Sequence, residues 1–560
     1  MLSPAIKHLS SLALLAGTLP VFGANNPTQQ PKRPNILWLT CEDISPTLSF
    51  YGDSTAHTPN LDKLAAESMI FTNAYTTVGV CAPSRSSIIT GMYPVSIGTM
   101  QMRTASDVMG WGKRTYEATS NARDINGDPV PQYSAVLPPY VKCFTEYLRE
   151  SGYYCTNNYK TDYQFAAPVT AWDDNSRKAE YTNRPEGKPF FAVYNHLVTH
   201  ESRMWMNKKL PQTVSPDDVP LPVYYPDDSI IRQDVARNYS NIELLDKQIG
   251  EKIQKLKEAG LWDKTIVFFF SDHGGPLPRG KREIYDSGLR VPFLVHFPGG
   301  AHAGRVDELI SFVDLAPTVL SLAGIKPPDY MQGHAFLGEY KDTMPREYIF
   351  GSGDRFDEFA DRIRIIRDHR YLFVKNYYPE LPAYKDVSYR KQMDMMNELL
   401  RLHDAGRLSG PTAYWFRPEK TKEEFYDCQT DPYNVDNRID DPKYQDKINE
   451  LRAVLDQWTR DIHDKGAMSE TQMLEQMWPG GIQPKTADPE VKVADGVVRI
   501  CSDTEGASIG YILSDKDIEP GLNSGWLVYN GPVKAGDASF LYVIADRIGY
   551  ADSQIIKIKL

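Results

Sequence analysis

From Asn35 onward, short apolar runs alternate with segments of helical spacing over about 300 residues, and that alternation dictates an α/β fold with a largely parallel sheet covered by helices on both faces. The run 35–40 (NILWLT) is continuously apolar rather than alternating, as a strand buried on both faces requires. Runs 153–158, 189–195 and 265–270 read the same way. Between them, 61–69 has helical spacing, 86–90 belongs to another helix, and 231–259 carries Val235, Ile242, Leu245 and Ile249 on one face.

Near Arg346 the pattern changes. Residues 364–375 read as an antiparallel strand pair turning at Asp368-His369, and 424–427 as another short strand. Residues 444–462 read as a closing amphipathic helix with Ile448, Leu451, Leu455 and Trp458 on one face. A polar stretch containing glycine and proline follows. Beyond it, short alternating segments at 491–501, 508–513, 525–529, 539–545 and 554–558 suggest a separate β-sandwich. The expected organisation is an α/β domain over 24–345, an antiparallel α+β subdomain over 346–466, a linker over 467–488 and the sandwich over 489–560. A chain of 560 residues has room for three or four such units at about 150 residues each.

Residues 1–23 read as a secretory signal. Lys7 gives the positive start, 12–17 the apolar stretch, and Val21-Phe22-Gly23 a small-residue cleavage site. An anchoring or unstructured N-terminus is the alternative. Export would place the protein in the periplasm or outside the cell. No internal apolar run approaches the ~20 residues of a membrane span. The formal net charge of −11 excludes a general nucleic-acid binder, which needs a basic excess against phosphates. Six cysteines in so long a chain do not make a disulfide framework, although Cys143 and Cys155 are placed to pair across a helix–strand corner.

In an open parallel sheet, ligands bind outside the carboxyl ends of the strands. After 35–40 come Glu42 and Asp43; after 265–270 come Asp272 and His273; after 189–195 comes His200; after 153–158 come Lys160 and Asp162. Each alone is an ordinary loop charge, but four strand ends aiming such groups at one edge imply a metal and anion site. Glu42, Asp43, Asp272 and His273 offer mostly hard oxygen, which suits Ca²⁺ or Mg²⁺, with Mn²⁺ admitted by the imidazole. The cysteines are not spaced as zinc ligands. In Cys81-Ala82-Pro83-Ser84-Arg85, Pro83 belongs in the first turn of a helix. Cys81 then sits at a helix N-terminus that favours anions. A reactive thiol, a metal-bound thiol and a plain buried cysteine all remain open on these residues alone.

Cys81-Ala82-Pro83-Ser84-Arg85 followed by Thr90-Gly91 resembles the signature of type I sulfatases, members of the alkaline-phosphatase-like superfamily. Pro34-Asn35-Ile36 before the acidic pair, Tyr51-Gly52-Asp53, Thr58-Pro59-Asn60-Leu61, Ser271-Asp272-His273-Gly274, Gly280-Lys281, Arg290-Val291-Pro292 and Val313-Asp314-Leu315-Ala316-Pro317-Thr318 follow in the family's order, over roughly 34–465. The resemblance implies that a maturation enzyme oxidises Cys81 to Cα-formylglycine, with Cys81, Pro83, Ser84 and Arg85 as its recognition motif. One hydroxyl of the hydrated aldehyde, acidified by the metal, then attacks sulfur, and the other expels sulfate. It further implies that Glu42, Asp43, Asp272, His273 and the modified Cys81 hold the metal. Arg85 would steady the nucleophile, Lys160 and Lys281 bind sulfate oxygens, and His200 protonate the leaving alcohol. Two departures stand out: the acidic pair is Glu42-Asp43 rather than two aspartates, and Asp162 replaces a histidine that helps deprotonate the second hydroxyl. His273 stands where many members have asparagine.

Candidate substrate residues are Arg103, Glu201, Arg203, Trp205, Asp354, Arg355, Asp357 and Trp415, with Arg103 and Arg355 the preferred pair. Residues 501–511, 526–529 and 544–550 resemble the small β-domains of chitobiases and other secreted glycan hydrolases. With the export signal, they favour a sulfated glycan or oligosaccharide as substrate. The alternatives are an N-sulfoglucosamine sulfohydrolase, a formylglycine phosphonate or phosphodiester hydrolase, and a glycan-binding protein whose Cys81 is never converted.

Overall fold

The computed structural model describes residues 33–116 and 121–560; the expected signal over 1–23 lies outside the described residues. Among them, the main sheet has eight strands: β1 (Asn35–Cys41), β2 (Ser68–Tyr75), β3 (Tyr154–Asn158), β4 (Asp174–Asn175), β5 (Phe190–His196), β6 (Thr265–Ser271), β7 (Phe293–His296) and β8 (Gly304–Ser311). Their order is β4-β3-β5-β1-β6-β7-β2-β8. Every pairing is parallel except those of β7, which runs antiparallel to both β6 and β2. Central β1 shows why its run is unbroken: Ile36 and Trp38 enter one core, Leu37 and Leu39 the other. The first core takes Ile88 and Ile89 of the helix Cys81–Thr90; the second takes Val235, Ile242, Leu245 and Ile249 of the helix Ser229–Glu258. Asp228 caps the long helix by accepting from the Ile230 and Ile231 N–H groups.

Of the strands that the sequence pattern does not announce, three have identifiable reasons. The helix expected over 61–69 is Pro59–Ala66, and Ser68 and Met69 already belong to β2. The Ser68 hydroxyl bonds the Leu64 carbonyl, so helix and strand adjoin with no loop to mark the boundary. β7 has only four residues, too short a run to stand out. β8 is an edge strand whose first five residues are largely exposed and polar, so it lacks the buried-strand signal.

A second, antiparallel sheet follows: β9 (Ile349–Gly353), β10 (Ile363–Arg367), β11 (Tyr371–Asn376) and β12 (Glu423–Asp427) in the order β12-β11-β10-β9. The helix Gln445–Asp461 buries Ile448, Leu451, Leu455 and Trp458, and Trp458 stacks on Phe350 with ring centroids 4.6 Å apart. The span 467–488, expected as a linker, is corrected in its first half. It holds the helix Glu470–Met477, opened by a Ser469/Gln472 capping box and packed into the main core through Met473, Leu474 and Met477. The apolar spacing at 473, 474 and 477 and the box were readable in the sequence.

The C-terminal strands form two small sheets. One contains β13 (Glu490–Ala494), β14 (Val497–Cys501) and β17 (Val533–Lys534); the other contains β15 (Ser508–Ser514), β16 (Leu527–Val528), β18 (Phe540–Asp546) and β19 (Ile556–Lys559). The span 491–501, expected as one strand, is a hairpin. Asp495 and Gly496 both take positive φ (52° and 70°), as a two-residue turn of this twist requires. This module has its own apolar centre in Val498, Ile500, Leu541 and Val543. It is nonetheless docked: Trp526, Tyr542 and Ile544 pack around Val169 of the main domain, and Arg114 pairs with Asp546 and Asp552. Residues 34–560 thus form one compact unit.

Cys143 and Cys155, for which the sequence left pairing open, are both buried free thiols. Cys143 caps the helix Phe144–Glu150, and Cys155 Sγ faces the Thr145 carbonyl at 3.9 Å. Burial pushes both thiols well above the ordinary range, which leaves them unreactive. No helix of the described residues is long and apolar enough to cross a membrane.

Candidate active site

The register of the sheet assembles the site. Cys41 at the end of β1 lies level with His196 of β5 and Ser271 of β6. Glu42-Asp43 and Asp272-His273 therefore leave the sheet side by side, and the Asp43 N–H bonds Asp272 Oδ1 at 3.2 Å. The helix Cys81–Thr90 is pinned to this edge through Ser84, whose hydroxyl donates to the Asp272 carbonyl at 2.6 Å. Gly79 lets the preceding chain close in: a Cβ there would lie 2.2 Å from the Glu283 carbonyl oxygen. The Arg282 N–H bonds the Gly79 carbonyl, and Lys281 arrives beside Cys81 with Nζ 3.2 Å from Sγ.

Glu42, Asp43, Cys81, Arg85, Lys160, Asp272, His273 and Lys281 are all buried, and Asn195 and His200 half-buried. Arg85 spans Glu42 and Asp272, Nε being 3.1 Å from Asp272 Oδ2, and donates to Asn195 Oδ1 at 2.8 Å. Asn195 was not anticipated; it is the last residue of the run 189–195 and carried no charge to mark it. Lys160 pairs with Glu42, and Lys281 lies 2.8 Å from Asp43 Oδ2. Burial opposes ionisation of Glu42 and Asp43, but Arg85 and Lys160 hold Glu42, and Lys281 holds Asp43, well below the usual carboxylate range. Asp272 goes the other way, raised by burial and by the adjacent Glu42. Burial also opposes the charge on Lys160 and Lys281, yet the anionic neighbours keep both ammonium groups protonated.

The donor set fits a divalent cation. His273 Nδ1 lies 2.9 Å from the Gly274 carbonyl and so carries the proton, leaving Nε2 to face Asp43 Oδ1 at 3.0 Å and Cys81 Sγ at 3.2 Å. A ring nitrogen facing carboxylate oxygen needs a positive charge between them, supplied by a proton or by a bound cation. Consistently, Asp272 and Asp43 push this imidazole well up despite its burial. Ligand atoms of Asp43, Cys81, Asp272 and His273 all lie within 4.8 Å of one another, as do those of Glu42, Asp43, Cys81 and His200.

With the geometry in view, comparison with known proteins decides the family. Residues 34–325 match the sulfatase family model, and 279–403 match the N-sulphoglucosamine sulphohydrolase C-terminal model. An ulvan-active sulfatase of Formosa agariphila is 44% identical over 94% of this chain and 91% of its own. The chain belongs to the sulfatase family. It is a sulfuric ester hydrolase. Human N-sulphoglucosamine sulphohydrolase is 25% identical over 80% of this chain and 94% of its own. A solved 2-O GAG sulfatase shares the fold, with a TM-score of 0.55 and 20% identity over 77% of this chain and 93% of that one.

Outward from the centre, the sulfatase opens a cleft of about 480 Å³ bordered by Lys160 and His200. His200 is neutral, because burial and then Lys281 lower it well below its ordinary value. The Ser202 N–H lies 3.1 Å from His200 Nδ1 and donates to it, so the proton sits on Nε2. Arg103, Arg203 and Trp205 line this cleft, joined by Tyr389 and Gln392, which loop sequence did not single out.

Other candidate substrate residues are corrected, since each is engaged inside the protein. Arg355 is buried against Glu470 and the Met102 carbonyl, where it supports the backbone next to Arg103. Asp354 pairs with buried Arg364, and Trp415 donates to Glu283. Glu201 and Asp357 both grip Arg282, at 2.8 and 2.6 Å, and Asp357 keeps some exposure. Arg282, missed in the sequence beside Lys281, is thereby the anchor of the lysine's loop. Asp162 bonds Arg103 at 2.9 Å and lies 3.5 Å from Lys160 Nζ.

Proposed function

We propose that this sulfatase is an exported enzyme that removes sulfate from carbohydrates, using Cys81 oxidised to Cα-formylglycine and a divalent metal, Ca²⁺ by preference. The single observation that carries the reading is the enclosure of Cys81 among three buried carboxylates, an imidazole and three buried cations at one sheet edge. The carbohydrate substrate is supported by the relationship to the ulvan-active sulfatase, and export by the N-terminal charge and apolar pattern. Glu42, Asp43, Asp272 and His273 would hold the metal, with mostly oxygen donors as Ca²⁺ favours. When bound, it supplies Lewis acidity to the nucleophile and the sulfate.

The remaining roles follow from charge and proton position. Lys281 and Lys160, buried and protonated, bind sulfate oxygens and offset the negative charge that grows as the S–O bond breaks. Arg85 locks Glu42 and Asp272 to the helix that carries the nucleophile. His200 holds its proton on Nε2 at the cleft, where a leaving alcohol needs it. Asp162 is engaged by Arg103 and Lys160, so we assign it to positioning those cations rather than to deprotonation.

The test is inorganic sulfate release from sulfated mono- and disaccharides, by protein whose Cys81 peptide mass shows conversion. O-sulfates of galactose, N-acetylgalactosamine, N-acetylglucosamine and uronate-containing disaccharides form one arm. N-sulfoglucosamine forms a second, since 279–403 match the model named for that sulfohydrolase. Aryl phosphonate esters form the third. Turnover in the first arm is expected. Converted protein active on phosphonates alone would sink the reading.

A further inference from the structure

The cleft outside the sulfate position has an unusual charge pattern. Arg103, Lys160 and Arg203 all line it, and among the described residues no carboxylate does, in a chain whose formal net charge is −11. Lys160 lies deep and pairs with Glu42; with Lys281 it faces the sulfate to be cleaved. A sulfate monoester carries one negative charge, which those two ammonium groups already answer.

Arg103 and Arg203 are left over. The Arg103 side chain is 36% exposed; NH1 bonds Asp162 at 2.9 Å, and Nε and NH2 have no partner in the described protein. Its backbone sits in the left-handed region (φ 60°), which a side chain of this size adopts only where its surroundings hold it. Those surroundings are visible: Met102 exchanges two hydrogen bonds with buried Arg355, 2.8 Å through its N–H and 2.7 Å through its carbonyl. Arg203 is anchored by Nε to the Leu197 carbonyl at 3.2 Å and makes no ion pair with any described carboxylate. The same cleft has an aromatic wall, Trp205 edge-on to Tyr389 with centroids 5.1 Å apart, suited to the apolar face of a sugar ring.

We propose that Arg103 and Arg203 form a second anion subsite, which selects carbohydrate sulfates bearing another anionic group, a uronate carboxylate or a second sulfate, beside the sulfate that is removed. The inference rests on the carbohydrate-sulfatase reading above and narrows it. Guanidinium is the apt cation here, since its planar fork matches both carboxylate and sulfate oxygens. The negative surface elsewhere makes this local charge necessary for a polyanionic substrate to bind.

The test uses converted full-length protein and matched pairs of sulfated disaccharides. One pair differs only in a uronic acid against its methyl ester, the other only in the presence of a second sulfate. Native protein is expected to favour the doubly anionic member of at least one pair by about ten- to hundred-fold in kcat/KM, the range of a charge-assisted hydrogen bond. The preferred pair identifies the anion. Arg203→Gln should collapse that ratio toward one, chiefly through KM, and Arg203→Lys should keep part of it. Arg103→Gln should do the same, but because Arg103 also pairs with Asp162 the Arg203 variants are the independent measure. Ratios near one in native protein, or a ratio untouched by both glutamine variants, would overturn the subsite and leave the sulfatase reading standing. Sulfate release from no carbohydrate at all would overturn both.

Discussion

At the scale of single residues, Cys81 is distinguished by its surroundings rather than by its own chemistry. Sγ lies 3.2 Å from both Lys281 Nζ and His273 Nε2, while Cys143 and Cys155 are buried without any such partner. Cys81→Ala is therefore expected to abolish sulfate release with thermal stability nearly unchanged; retained turnover would refute the nucleophile. Lys281→Ala is expected to cost about 3 kcal/mol in the barrier, since one cation at a developing anion is worth that much. Kinetics show this as a fall in kcat rather than a rise in KM alone. Arg355 makes the opposite case. Removing it leaves Glu470 buried and unpaired, which costs about 3–5 kcal/mol of stability. Arg355→Ala should therefore lower Tm strongly, and a variant of native stability that has merely lost substrate affinity would contradict the structural role. Arg103, Arg203 and Trp205 do line the cleft, Arg103 coming soon after the helix that begins at Cys81. Arg355 looked equivalent, since sequence does not show which arginine meets a carboxylate inside.

At the scale of elements, the site depends on how closely loops approach one another. β1, β3, β5 and β6 were readable as apolar runs, and their carboxyl ends carry the expected groups. What brings Lys281 to Cys81 is instead the contact between the turn before the helix Cys81–Thr90 and the chain around Glu283. Gly79 is the contact point, with space for no Cβ. Gly79→Ala is expected to destabilise the fold by about 1–3 kcal/mol through overpacking and to displace Lys281. A drop in kcat together with a lower Tm would show it; unaltered values for both would mean the loops yield freely. The same closeness explains the missed elements. β2 follows its helix without a loop, and the helix Glu470–Met477 lies in a stretch whose composition suggests a linker.

At the scale of the whole molecule, the C-terminal module is fastened to the main domain by a buried charge cluster. Asp546 is fully buried between Arg114 and Asp552, and burial pushes its carboxyl up to about 7 against the pull of Arg114, with Asp552 adding to the rise. Because this folded value exceeds the unfolded one, the native state binds the extra proton between about pH 4 and pH 7. Its stabilising contribution is full below about pH 4 and is lost progressively as pH rises to about 7. Tm should accordingly decline from about pH 5 to pH 7 and level off above it, and Asp546→Asn should flatten that decline; an identical pH profile in the variant would exclude Asp546 as its source. The docking also rests on Val169 beneath Trp526, so the module's removal exposes an apolar patch of the main domain.

The sequence by itself determined the α/β class, the strands of the sheet centre, the helix that begins at Cys81 and the groups at the strand ends. Those follow from local periodicity and from the rule that parallel strands present their carboxyl ends to ligands. Tertiary structure alone decided which charges meet inside and which reach the cleft. It placed Arg355 on Glu470, Arg282 on Glu201 and Asp357, and Asp162 between Arg103 and Lys160. The reason is physical. A charged side chain has the same local signature whether it binds a ligand or a partner hundreds of residues away, and only long-range packing selects between the two.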